Sequence, residues 1–409
     1  MSLACAGYAR AMPEVLYLDH AATRWPKADG VADAMAAATR DIVGSAGRST
    51  EESGVRVIDE CRVGLARLIG VHDSSRVVLT HGCTDALNLA IFGLLAQRRD
   101  MPHVVSTVLE HNSVRRPLRH LQRSGLISLT EVGCSAESLV DPEAMGQACR
   151  PETALAICTH ASNVTGTIQP VQAIGDAVRA RASQALFLVD AAQTVGVLDV
   201  NCTAIGADLL AFGAHKAIGG PAGLGALYVG PRAFAVSEPD RSALQPIAYG
   251  GTGESGLAEQ DDLPRQLPGR FEPGTRNPAI AAGVIAALNA LPRDGSTLKH
   301  ERELLRQLIA GLGELPGLEV VGSRDIERHI GLLSLKCHSI SAQELAAILH
   351  ASFSIVVRAG VQCAPAAHAA LGTAPEGTVR VSFGSTTQSN DIDRLLSALR
   401  QILSGDRRS

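Results

Sequence analysis

From about residue 77 the chain alternates short β-branched runs with longer helical patterns, and this alternation constrains the fold more than any other feature. VVLT (77–80) precedes an apolar helical pattern through DALNLAIFGLLAQ, and HVVSTV (103–108) precedes one carrying Arg115, Arg116 and Arg119. ISLTEV, ALAICTH and ALFLVD read as further buried strands with a helix between them. Such repetition predicts βαβ units, because parallel strands need a crossover long enough for a helix. Ligands of such sheets bind beyond the carboxyl ends of the strands. Thr80, His111, His160, Asp190 and the Lys216 loop all follow strand-like runs, so they are expected on one rim.

Between about 236 and 276 the pattern gives way to Pro/Gly-rich, charged loop sequence. Helical patterns follow in NPAIAAGVIAALNAL and from about 297 to 314. LEVVG, IGLLSLKC, FSIVVRAG and TVRVSFG then look like strands of a second, smaller α+β domain. The expected division is an N-terminal segment over 1–15, a large domain over 16–276 and a small C-terminal domain over 277–409. SGDRRS reads as a disordered tail. GTGESG (251–256) fits the G-x-G-x-x-G dinucleotide pattern, but no βαβ unit frames it and Pro264 soon follows. It is assigned to a flexible loop near the mouth of the site, not to NAD.

At 409 residues the chain has length for two domains and a large core. A formal net charge of −4, without a basic run, gives no electrostatic reason to expect nucleic acid or an anionic membrane as partner. The nine cysteines are scattered and form no C-x-x-C pair, which argues against a disulfide framework or a zinc site and for a reducing cytosol. MSLACAGYARAMPEV lacks a basic region and a continuous apolar core, so a signal peptide is not expected. No apolar stretch is long enough to span a bilayer. The expectation is a soluble, cytoplasmic α/β enzyme without a metal.

Chemistry enters at AFGAHKAIGGPAGLG, where Lys216 stands among small residues. A partly desolvated lysine amine deprotonates readily and can form a Schiff base with an aldehyde cofactor. Pyridoxal phosphate (PLP) also needs a carboxylate on its pyridinium nitrogen, and Asp190 in LFLVDAAQ is the natural candidate. At THGCTDALN a strand ends, a glycine turn follows and a helix begins near Thr84. Helix N-termini suit phosphate, although Thr84 can equally be a plain helix cap. His111 in LEHNSV reads as a ring-stacking residue or a satisfied strand-end histidine. Asn163 in HASNVTGT and Gln193 in DAAQ read as phenolic-oxygen contacts or as turn formers.

Taken together, YLDHAAT, HGCTDALNLA, LEHNSV, HASNVTGTIQP, LVDAAQ, FGAHKAIGGPAGLGALYV, EPGTRNP, VRAGVQCAP and GTVRVSFG resemble the PLP-dependent class V aminotransferase family, in its cysteine desulfurase branch. The resemblance spans about residues 16 to 400 and implies fold-type I. That fold is aspartate aminotransferase-like, with a mostly parallel seven-stranded sheet in the large domain and a smaller α+β C-terminal domain. It implies that Lys216 holds the cofactor, Asp190 pairs with its ring nitrogen, His111 stacks on the ring and Gln193 and Asn163 contact its phenolic oxygen. Thr84, the Cys83 amide and His215 would hold the phosphate. Thr275 in EPGTRNP would reach the phosphate of a neighbouring subunit, which implies a homodimer with a shared active site. Arg380 would grip the carboxylate of an L-cysteine substrate, with Asn163 and Arg358 beside it.

Cys363 in RAGVQCAP matches the nucleophile that takes the substrate sulfur as a persulfide. Its short loop resembles the family's second type, which includes selenocysteine lyases. The sulfur acceptor, which can be a partner protein, is not named by the sequence. The alternatives are another class V PLP reaction (selenocysteine lysis, other C–S lysis or transamination) and a fold relative that no longer binds PLP. Two positions depart from the family pattern. Gly213 stands where many relatives carry a phosphate-binding hydroxyl, and Gln362 stands where a histidine often precedes the cysteine. His368, a few positions on, is either a replacement for that histidine or a structural residue.

Overall fold

A computed structural model describes residues 15–42, 53–251 and 262–405. The N-terminal segment through residue 14, most of GTGESG and the last four residues of the tail lie outside the described residues. The strands are β1 (Leu16–Tyr17), β2 (Val77–Thr80), β3 (His103–Thr107), β4 (Ser128–Val132), β5 (Thr153–Thr159), β6 (Leu186–Asp190), β7 (Leu209–Gly213), β8 (Gly225–Val229), β9 (Leu318–Val321), β10 (Leu332–Cys337), β11 (Ile355–Val356), β12 (Arg358–Gly360) and β13 (Thr378–Ser382). The helices are α1 (Val31–Asp41), α2 (Ser53–Leu68), α3 (Cys83–Leu95), α4 (Asn112–Arg123), α5 (Pro142–Ala148), α6 (Val171–Arg181), α7 (Cys202–Ile205), α8 (Pro278–Ala290), α9 (Ser296–Leu312), α10 (Ala342–Phe353), α11 (Pro365–Ala370) and α12 (Ser389–Gly405).

Seven strands form one sheet in the order β2-β8-β7-β6-β5-β3-β4. Only β8 runs against its neighbours, so the sheet is mostly parallel. Strands β2, β3, β6, β7 and β8 are buried along their whole length. That explains why they read as continuous apolar runs, since helices cover both faces. Alternate residues feed two cores: Phe187, Val189, Leu210 and Phe212 join the cluster under α1, α2, α6 and α8. Leu186, Leu188, Leu209 and Ala211 join the cluster under α3 and α4. Phe187 is fully buried, which stabilises the fold by about 2–3 kcal/mol. Strand β4 forms an edge and is less buried, and there Glu131 pairs with Arg115 and Arg119 of α4.

A four-stranded antiparallel sheet, β12-β13-β10-β9, carries the C-terminal part and has its own core with α9, α10 and α12. The sequence run FSIVVRAG divides between two sheets: β11 pairs with β1, and β12 pairs with β13. The chain crosses between the cores more than once. Helix α8 packs on α1 and α2 and buries Ala281, Val284, Ala287 and Leu288 in the larger core. Conversely, Leu16 and Leu18 near the start belong to the C-terminal core. Among the described residues no helix is long and apolar enough to cross a membrane.

Candidate active site

A cleft of about 1040 Å³ opens where the carboxyl ends of the large sheet meet β12, β13 and the loop between β12 and α11. The large sheet contributes Cys83, Thr84, His111, Asn163, Asp190, Gln193, His215 and Lys216 to its wall. The smaller sheet and its loop contribute Arg358, Gln362, Cys363 and Arg380. Residues more than 270 positions apart are thereby brought to one wall. Of the site residues expected from sequence, Thr275 alone is absent from this wall; it is exposed. Its loop is tied down through Glu272, which takes Arg62 Nη1 at 2.5 Å and the Leu79 N–H at 2.6 Å.

Lys216 and Asp190 form the floor. Burial pushes the Lys216 amine down from the ordinary lysine range; Cys83 and Asp190 oppose the shift and Arg380 adds to it. Asp190 ends β6, and its Oδ1 accepts the Ala192 N–H at 3.0 Å and the Cys83 thiol at 3.6 Å. The thiol is the donor, because burial and the adjacent carboxylate push Cys83 well above the usual thiol range. Sequence reasoning credited Cys83 only with its backbone amide. The structure adds this side-chain role.

The first turn of α3 faces the cleft at Cys83 and Thr84, where free amides and the positive end of the helix dipole suit an anion. Gly225 makes this possible, because a Cβ there would lie 2.4 Å from the Gly82 carbonyl carbon. Thr84 Oγ1 lies 2.8 Å from Ser113 Oγ, so its hydroxyl is oriented by a side chain. His111 caps α4 through its ring: the Ser113 N–H donates to His111 Nδ1 at 3.0 Å. The proton of the neutral ring therefore sits on Nε2, and the imidazole has a fixed orientation at the cleft wall. Burial lowers the His111 pKa, with Asp190 opposing. His215 Nδ1 lies 3.1 Å from Thr23 Oγ1, and burial together with Lys216 and Lys27 lowers its pKa to about 4. A Cβ at Gly213 would lie 3.3 Å from His215 Cδ2 and 3.7 Å from Cys83 Cβ, so Cys83 and His215 flank the side that lacks a hydroxyl.

Arg380 lies on β13 with 3% exposure, not at a sheet surface. It donates through Nη1 to the Asn163 carbonyl at 2.9 Å and through Nη2 to Asp19 Oδ1 at 2.7 Å. Asp19 Oδ2 faces Arg358 Nε at 3.7 Å. Burial lowers the Arg380 pKa and Asp19 opposes it. Cys363 is exposed and stands beside Gln362 in a turn where both residues have positive φ, +39° and +59°. Two consecutive side-chain-bearing residues there cost about 1–2 kcal/mol each, so the turn persists only because its surroundings hold it.

Thr80 ends β2 and His160 follows β5 at the carboxyl edge of the sheet, but neither lines the cleft: Thr80 Oγ1 donates to the Gly82 carbonyl, and His160 Nδ1 lies 3.0 Å from Thr194 Oγ1. Sequence reasoning also missed Asp19, Ser113 and Thr23. Asp19 stood in YLDHAAT without an assigned partner, because its arginine lies 361 residues away.

The donor set fits a phosphorylated heteroaromatic aldehyde: an amine at the floor, a carboxylate beside it, an imidazole on the wall and a helix N-terminus at one end. Among the described residues no hydrogen bond or ion pair within the chain engages the Lys216 amine.

Comparison with known proteins shows the family to which the chain belongs. The class-V aminotransferase family profile matches residues 16–395, and the chain belongs to that family. A protein named probable cysteine desulfurase from Methanothermobacter thermautotrophicus is 32% identical over 95% of this chain and 94% of its own length. The cysteine desulfurase IscS of Haemophilus influenzae is 30% identical over 94% of this chain and 92% of its own. The apo structure of a cysteine desulfurase from Thermococcus onnurineus superposes with a TM-score of 0.87 at 28% identity, covering 96% of this chain and 95% of that one.

Proposed function

We propose that this class V aminotransferase-family chain is a PLP-dependent cysteine desulfurase, converting L-cysteine to L-alanine and carrying the sulfur as a persulfide on Cys363. The observation that carries the reading is the exposed Cys363 thiol in a held turn, on the same cleft wall as Lys216 and Arg380. An ordinary transaminase needs the lysine and the arginine but has no use for that thiol.

PLP, when bound, supplies an electron sink conjugated to the substrate Cα. Lys216 would hold the cofactor and, as a free amine, would move the proton at the substrate Cα. Asp190, its Oδ1 already held by Ala192 and Cys83, would keep the ring nitrogen protonated. His111 would stack on the ring, Asn163 and Gln193 would contact its phenolic oxygen, and Thr84, the Cys83 amide and His215 would hold the phosphate. Arg380, with Arg358 at the mouth, grips the substrate carboxylate and so fixes which way the substrate sulfur points. Cys363, as thiolate, attacks that sulfur. The new S–S bond forms as the substrate S–Cβ bond breaks, and the carbon side takes the electron pair and is later protonated to give alanine.

The exposed Thr275 loop supports a homodimer in which Thr275 reaches the partner's phosphate site. For the domains, we propose a large PLP-binding unit that is extended by α8, and a smaller C-terminal unit from α9 onward to which β1 is added. The persulfide would pass to a protein acceptor in the cytoplasm, and neither nucleic acid nor a membrane is required.

The test is mass spectrometry of Cys363 after incubation with L-cysteine or L-alanine. A 32-Da increment with cysteine only is expected, lost in Cys363→Ala, and a yellow protein whose colour vanishes in Lys216→Ala. Sulfide release retained by Cys363→Ala, or turnover of selenocysteine alone, overturns the persulfide route in favour of another class V reaction. A protein that stays colourless after incubation with PLP overturns the cofactor.

A further inference from the structure

The turn that presents Cys363 is conformationally disfavoured, and the groups that hold it converge on one side chain. Gln362 is 8% exposed and both polar atoms of its side chain are engaged. Its Nε2 donates to the Thr378 carbonyl at 2.9 Å, and its backbone carbonyl accepts Asn163 Nδ2 at 2.7 Å. Its Oε1 lies 2.7 Å from His368 Nε2 and 3.3 Å from Thr378 Oγ1.

The available protons decide which of those two groups donates. Ser334 Oγ gives its proton to the Val164 carbonyl at 2.6 Å, and Thr378 Oγ1 gives its own to Ser334 Oγ at 3.0 Å. Only His368 then has a proton for Gln362 Oε1, and its Nδ1 accepts from Thr373 Oγ1 at 2.7 Å. This assignment requires a neutral imidazole with its proton on Nε2. His368 is fully buried and does not line the cleft, so it cannot exchange protons with the thiol directly. It acts only through Gln362.

We infer that His368 is a positioning residue for the nucleophile: through Gln362 it fixes the two-residue left-handed turn that holds Cys363 in the cleft wall. The inference rests on the desulfurase reading for its kinetic consequence but not for its structural one. Without the His368 proton, Gln362 Oε1 keeps only Thr378 Oγ1 at 3.3 Å, whose proton is then taken from Ser334 Oγ, and the turn loses much of what offsets its strain. The Cys363 carbonyl remains tied to the Asn112 N–H at 2.8 Å, so the loop loosens locally and does not detach.

The experiment compares His368→Ala and the similarly sized Gln362→Met with wild type by two readouts. In cofactor-free protein, deuterium uptake by the peptide over 358–364 should quicken by about 10-fold or more, while β5 and β6 exchange as in wild type. In PLP-loaded protein, single-turnover persulfide formation on Cys363 should fall by about 10-fold or more, because a small misplacement of the nucleophile is costly. The dissociation constant for L-alanine, read from the visible spectrum, should change by less than about 2-fold, since Arg380 is untouched. His368→Gln, which restores an N–H donor, should recover the persulfide rate to within about 3-fold. Wild-type uptake in either variant, uptake raised throughout the chain, or affinity and rate lost together would each overturn the inference. Should wild type form no persulfide, the desulfurase reading fails, and the exchange comparison still decides whether His368 holds the turn.

Discussion

Replacing Glu110 by glutamine should change how the stability of this protein depends on pH. Glu110 is 1% exposed beside His111, where its Oε1 accepts Thr107 Oγ1 at 2.8 Å and the Thr159 N–H at 3.0 Å. Its Oε2 has no partner among the described residues. Burial raises its pKa from 4.5 to about 8; the Thr107 and Thr159 hydrogen bonds oppose the rise, and Asp190 adds to it. The folded state therefore binds one more proton than the unfolded state between those two values. The favourable contribution is complete below pH 4.5 and is lost as pH rises through about 8. The slope is about −1.4 kcal/mol per pH unit, and the whole window amounts to roughly 5 kcal/mol.

The Glu110→Gln side chain would keep the Thr107 and Thr159 bonds and stay neutral throughout. In cofactor-free protein, urea unfolding followed by circular dichroism from pH 5 to 9 should give curves that diverge. The variant should lie within about 1 kcal/mol of wild type at pH 5 and be about 4 kcal/mol more stable at pH 9. Parallel curves would refute the reasoning, because they would mean that Glu110 ionises in the folded protein as it does in water.

Acid should destabilise the protein by the converse route. His160 and His368 are buried with pKa values lowered to about 4 by burial, so the unfolded state binds more protons and stability falls as pH drops from 6.5 toward 4. Each contributes up to about 3 kcal/mol, and His160→Gln should flatten the acid limb of the urea-midpoint curve. Arg380→Lys should lower kcat/KM for L-cysteine by about 100-fold, near 3 kcal/mol, because a point charge cannot reproduce the guanidinium fork; a change below about 3-fold would remove Arg380 from carboxylate binding. Gly213→Ser should slow PLP loss during dialysis by about 5-fold, since a Cβ there needs only a few tenths of an ångström from His215 and the hydroxyl adds a phosphate donor. Faster loss would mean that crowding against Cys83 and His215 dominates.

Much of the fold was legible because buried parallel strands announce themselves as short apolar runs, and VVLT, HVVST and LFLVD became β2, β3 and β6 almost residue for residue. Local patterning also located Lys216, Asp190 and the start of α3, since each belongs to a strand end followed by a turn. The partition of the chain between cores was not legible. Helix α8 is apolar enough to join either core, and only its packing against α1 and α2 decides.

What the sequence determined by itself was therefore the chemistry on offer: a lysine, a carboxylate, an arginine and a thiol in an α/β chain. The tertiary structure decided how each is held. Asp19 meets Arg380 across 361 residues, Cys83 turns its thiol onto Asp190, and His368 faces Gln362 and not Cys363. The reason is physical. Strand and helix patterns are set by neighbours three or four residues away, whereas a buried polar atom takes its partner from whichever segment folding brings within about 3 Å.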